Sequence, residues 1–100
     1  MYAKLGGAAV QLVLGDQKQQ TQAAELLHGT FKLISDRLGE DMSPIVAGRC
    51  IEFAVDKIRE CEQYSGKTNP VAEAICKRYE DWKKCSFSHK NMPDFSQPAV

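Results

Sequence analysis

Cys50, Cys61, Cys76 and Cys85 are the only cysteines in this 100-residue chain, and no other side chains in it are better suited to chemistry. Four thiols can cross-link a fold, hold a metal, run a dithiol redox cycle or fill a core. Spacing separates these uses. Structural zinc sites draw their ligands from tight pairs two to four residues apart, and the closest pair here, Cys76 and Cys85, is nine positions apart. A redox centre sets an attacking thiolate beside a resolving partner, usually as C-x-x-C, and the chain has no such motif. Two readings stay open: disulfide staples, or thiols buried as small apolar side chains.

The elements that carry the cysteines follow from apolar periodicity. The stretch "DMSPIVAG" opens one helix, with Ser43 as its cap and Pro44 at its first position. Val46, Ala47, Cys50, Ala54, Ile58, Cys61 and Tyr64 recur along it at helical steps, and Ser65-Gly66 ends it. After "GKTNP", Asn69 caps a further helix that starts at Pro70 and runs to about Lys84, with Val71, Ile75, Tyr79 and Trp82 as its stripe. Upstream, residues 17–38 form a helix with apolar positions Ala23, Leu26, Leu27, Phe31, Ile34 and Leu38, stopped by Gly39. Residues 2–14 are apolar and form a short helix weakened by Gly6 and Gly7. The tail "SFSHKNMPDFSQPAV" has no periodicity and is expected to be extended.

Within the cysteine-bearing helices, Cys50 and Cys61 are eleven steps apart. At about 100° per step they return to within roughly 20° of one another, about three turns apart. That separation, about 16 Å, rules out a bond between them in an intact helix, since bonded cysteines need Cα atoms within about 7 Å. Cys85 falls on the Val71/Ile75/Trp82 stripe and Cys76 at its edge. An antiparallel hairpin would set Cys61 beside Cys76 and Cys50 beside Cys85, one of three possible connectivities. Each such bond would contribute roughly 2–4 kcal/mol, mainly by restricting the unfolded chain.

The placement of two cysteines on each of two adjacent helices resembles the twin-CX9C, or coiled-coil-helix–coiled-coil-helix, family. The likeness spans Cys50 to Cys85, with ten and eight intervening residues where the family has nine. It implies nested disulfides Cys50–Cys85 and Cys61–Cys76. It also implies import into the mitochondrial intermembrane space without a cleaved presequence. Many such proteins are accessory subunits or assembly factors of respiratory-chain complexes of the inner membrane. The first 17 residues contain no arginine, so a cleavable presequence is a poor reading of the start. A secretory signal is equally poor, because Lys4 alone precedes the apolar run and no A-x-A site follows it.

Other side chains give weaker signals. His28 and His89 have no Asp, Glu or Cys partners at metal spacing. Glu52, Asp56, Arg59, Glu60 and Glu62 read as a solvated helix face, since acid–base work needs a pocket. Lys57 falls near the cysteine stripe and can lay its stem on apolar surface. "KRYEDWKKC" interleaves basic residues with aromatics, but Glu80 and Asp81 interrupt it, so a solvated face is the better reading. There is no phosphate-binding glycine loop and no nucleophile motif. The formal net charge is zero, which gives no electrostatic reason to expect nucleic acid or an anionic membrane as partner. The longest apolar run, Leu5 to Gly15, falls short of the ~20 residues a spanning helix needs.

These readings combine into one expectation. Residues 1–100 form a single all-α domain: a docking segment and helix (1–42), a cysteine-paired hairpin (43–85) and a tail (86–100). It is non-catalytic and uses no cofactor, metal or small-molecule substrate. It is peripheral to the membrane, and other protein subunits of a membrane complex are its partners. Tyr2, Leu5, Leu12 and Val13 are expected to dock on a neighbour rather than pack on the hairpin. The rival is a reduced cytosolic adaptor with buried thiols and a groove for a partner helix.

Overall fold

In the computed structural model, residues 2–95 are described, apart from the side chains of Tyr2 and His89. Four helices make up the fold: α1 (Tyr2–Leu14), α2 (Gln17–Arg37), α3 (Pro44–Ser65) and α4 (Pro70–Lys84), followed by a short 3-10 turn at His89–Asn91. The chain is all-α, and among the described residues there is no strand, only a single bridge between Leu38 and Met42 in the α2–α3 connection. No helix among the described residues is long and apolar enough to cross a membrane.

Local chemistry sets the helix ends. Ser43 Oγ accepts from Val46 N and Pro44 takes the first turn of α3. At the other end Gly66 adopts φ 70°, a left-handed conformation that costs glycine little. Asn69 Oδ1 accepts from Ala72 N to start α4. At α2 the cap is a reciprocal box: Asp16 Oδ1 accepts from Gln19 N, and Gln19 Oε1 accepts from Asp16 N. The D-x-x-Q pattern was there in the sequence to find it.

α1 is the centre of the packing. It lies against both α2 and α3, while α2 and α3 barely touch each other, and α4 packs on α3. Leu5, Ala8, Ala9, Leu12 and Val13 are all buried within the chain. This corrects the expectation that Leu5, Leu12 and Val13 dock on a partner. Their spacing covers one side of a helix, and the glycines and alanines between them bring α1 close to α3. A Cβ at Gly6 would stand 3.1 Å from the Phe53 ring, so that glycine permits the approach rather than weakening the helix. Burying Leu5, Leu12 and Val13 stabilises the domain by roughly 1.5–3 kcal/mol each. Tyr2 lies in α1, and its side chain is outside the described residues. A radius of gyration of 12.7 Å matches the ~13 Å of a compact chain of this length and leaves no room for a detached arm.

Up to Phe95 the tail also differs from the extended segment expected of it. After Cys85 the backbone turns through Ser86 and Phe87, at φ 55° and 57°, and folds back. Phe87 packs against Trp82 (centroids 5.1 Å apart) and Tyr79 (6.0 Å). Phe95 is buried edge-on to Phe31 (5.5 Å) and Trp82 (6.2 Å). The tail thereby closes the α2–α4 side of the core.

Candidate functional site

The α3 face that meets α4 is defined by its contacts. Tyr79 Oη donates to the Glu52 carboxylate. Arg59 Nη2 donates to Glu80 Oε1 at 2.7 Å. A Cβ on Gly48 would come within 2.9 Å of the Phe87 ring. Gly48, Glu52 and Arg59 thus mark the stripe turned to α4. Cys50 lies two residues after Gly48, and Cys61 two after Arg59. Two steps are about 200° of rotation, so both cysteines sit on the side of α3 turned away from α4.

All four cysteines are reduced thiols in this structure, and the nested bonds Cys50–Cys85 and Cys61–Cys76 are not formed in it. The physical reason is the direction of the α3 faces. Cys50 and Cys61 are buried, at 4% and 8% exposure, on a stripe with Ala47, Ala54 and Ile58. There they act as small apolar side chains of the core, turned away from α4, with Cys50 near Arg37 at the end of α2. Cys76 is half-buried on α4 and does face α3, but it meets Arg59 and Glu62 rather than Cys61. Cys85 is exposed. It was expected on the buried stripe of α4, but the helix ends at Lys84 and Cys85 takes the C-cap with non-helical backbone.

Cys61 and Cys76 are poorly set up for reaction. Burial pushes the Cys76 thiol up to about 11, and the neighbouring Arg59 guanidinium only partly offsets it. Burial also raises Cys61, with the Glu60 carboxylate adding to it. Both are protonated at neutral pH, and the thiolate is the nucleophile and metal ligand. Among the described residues, no group of three His, Cys, Asp or Glu side chains is gathered to hold a metal.

The remaining polar side chains hold helices together. Asn69 has two tasks: besides capping α4, its Nδ2 donates to the carbonyl of Leu12 at 2.8 Å and so ties the end of α1 to the start of α4. The sequence showed the first role and carried no signal for the second. Thr68 Oγ1 donates to the Glu62 carboxylate across the α3–α4 turn. Lys57 reaches Glu60 at 3.2 Å and lies 5.8 Å from the Phe53 ring centre, as an amphipathic stem over apolar surface does. Lys77 pairs with Asp81, while Tyr79 and Trp82 are buried, so "KRYEDWKKC" is one buried aromatic stripe with a charged outer face.

Two surface features are left over. An open groove of about 440 Å³ runs between the α1–α2 corner and the start of α4, with Leu12, Ala24, His28 and Val71 among its walls. Several large apolar side chains also face solvent: Leu33 (61% exposed), Ile45 (62%) and Tyr64 (86%). Tyr64 belonged to the expected buried stripe of α3, as did Val46, and Leu26 to that of α2; all three are exposed.

No family model, no curated protein and no solved structure matches this chain.

Proposed function

We propose that this chain is a non-catalytic helical subunit that docks on a partner protein, with its cysteines kept reduced as part of the packing. The observation that carries this reading is the exposure of Leu33, Ile45 and Tyr64 on a domain whose other large apolar side chains are mostly buried. Exposed aromatic and aliphatic anchors are what a protein interface uses. The placement of the thiols supports it further, since Cys50 and Cys61 are occupied in packing. To test it, a photo-crosslinking residue is placed singly at Leu33, Ile45 and Tyr64 of the full chain in its source cells, with Lys77 as control. A discrete adduct with one protein from at least one of the three, absent at Lys77, is the expected result. Absence of any adduct from all three would overturn it.

A second reading rests on the cysteine placement. α3 and α4 form an antiparallel hairpin with two cysteines on each arm, the arrangement that resembles the twin-CX9C family. In that reading the chain is an accessory or assembly subunit of a respiratory-chain complex, peripheral to the inner membrane in the mitochondrial intermembrane space. It requires oxidised, nested pairs, and so requires α3 to turn by roughly half a rotation from the packing described above. The oxidation state of the four cysteines therefore separates the two readings.

A further inference from the structure

We propose that the outer face of α2 is a contact between two copies of this chain, laid antiparallel about Gly29. The proposal rests on the reading that exposed apolar side chains are docking anchors, and names the occupant for the share of them that α2 carries. Leu26 and Leu33 are 42% and 61% exposed, on a helix that buries Ala23, Leu27, Phe31 and Ile34 elsewhere on its surface. Seven positions apart, the two leucines lie within about 20° of one another. Gly29 sits between them, exposed and within roughly 60° of their line. A Cβ on it would meet nothing within 4 Å among the described residues. The surface is a shallow dip between two aliphatic knobs, and helices approach one another more closely where the side chains at the contact are small.

Charge decides what fits this face. Glu25 and Lys32 each precede one of the two leucines, so they form a row about 100° round the helix from the apolar line. That row carries opposite signs at its two ends. Reversing a second copy of α2 about Gly29 brings the Lys32 of that copy beside Glu25, and its Glu25 beside Lys32. The same two-fold axis sets Leu26 near the second copy's Leu33 and the two glycines face to face. A parallel pairing loses this match, because the flanking positions of parallel helices would then set Lys32 against Arg37. Lys32 also lies 3.6 Å from Asp36 of its own helix, both side chains well exposed, and a surface pair of that kind is weak enough to share. A formal net charge of zero puts little repulsion in the way of self-association. One self-complementary patch about a two-fold axis is the commonest form of homo-oligomer. Contact along a single helix belongs to the weak class of interfaces, below ~1,200 Å². Ile45 and Tyr64 lie on α3 and take no part in it.

Sedimentation velocity of the purified full chain tests this. The mass is expected to rise with concentration from 11.1 kDa towards twice that value. Glu25→Lys and Lys32→Glu should each weaken the dimer roughly tenfold. The double exchange should restore it, because the pairing is then reversed across the axis. Residues 25 and 32 are two turns apart within one chain, so a contact inside the monomer does not explain such a rescue. Leu33→Asp should leave a monomer with unchanged helicity. In a Cys85→Ser background, Gly29→Cys should form a disulfide dimer on mild oxidation and Gln22→Cys should not, since only a residue on the axis meets its own copy. Cross-linking at both positions would indicate a parallel pair and overturn the proposal. A chain that is monomeric at every concentration, or a double exchange that fails to rescue, would overturn it as well. A monomeric purified chain whose photo-crosslinker at Leu33 captures a different protein would sink this proposal and leave the docking reading standing.

Discussion

Asn69 shows how much one polar side chain carries here. Its carbonyl caps α4 and its amide nitrogen holds the end of α1. Asn69→Ala removes both and is expected to destabilise the domain by about 1–2 kcal/mol, measured by urea unfolding. Asn69→Asp keeps the cap acceptor, loses the donor and brings a carboxylate against the Leu12 carbonyl, so it should recover little of the loss. If alanine proves neutral, the α1–α4 tie has no energetic role. The cap at Asn69 was legible because cap residues act locally and Pro70 follows at once. The tie to Leu12 was not, because it joins positions 57 residues apart. The cysteines illustrate the same limit. Their spacing placed Cys50 and Cys61 on one stripe of α3 correctly, but a stripe does not say which neighbour covers it. α4 lies on the opposite face, and that decides whether these thiols meet another thiol.

At the scale of elements, all four helices and both Ser43-Pro44 and Asn69-Pro70 starts were readable from periodicity and capping. The place of α1 was not. Its glycines weaken it as an isolated helix, yet Gly6 lets it approach Phe53 and the alanines let it sit between α2 and α3. Propensity is a local quantity, and close packing of two backbones is not. Leu12→Ala is therefore expected to cost about 2–5 kcal/mol in chemical denaturation; a detached docking arm would give no loss at all. Gly7 is the counterpart. A Cβ there meets nothing within 4 Å, so Gly7→Ala should stabilise by about 0.5–1 kcal/mol, read as a higher denaturation midpoint. The tail was illegible for a different reason: Phe87, Met92 and Phe95 reach the core at spacings of five and three, which make no regular period.

Taken whole, the domain closes a core from Leu5 to Phe95 without a covalent cross-link. Every buried side-chain nitrogen and oxygen among the described residues has a partner. Such a fold is expected to unfold at the same temperature with and without a thiol reductant. Two staples worth roughly 2–4 kcal/mol each would instead make the midpoint fall by more than about 10 °C on reduction. Calorimetry of the purified chain in both conditions distinguishes these outcomes. The measurement that bears most directly on the central claim is a thiol count on protein taken from its source cells. The chain is denatured without reductant, tagged with a mass-shifting maleimide and mapped by mass spectrometry. Four tags are predicted, at Cys50, Cys61, Cys76 and Cys85. No tags, with Cys50 linked to Cys85 and Cys61 to Cys76, would contradict the account and establish the stapled hairpin in its place.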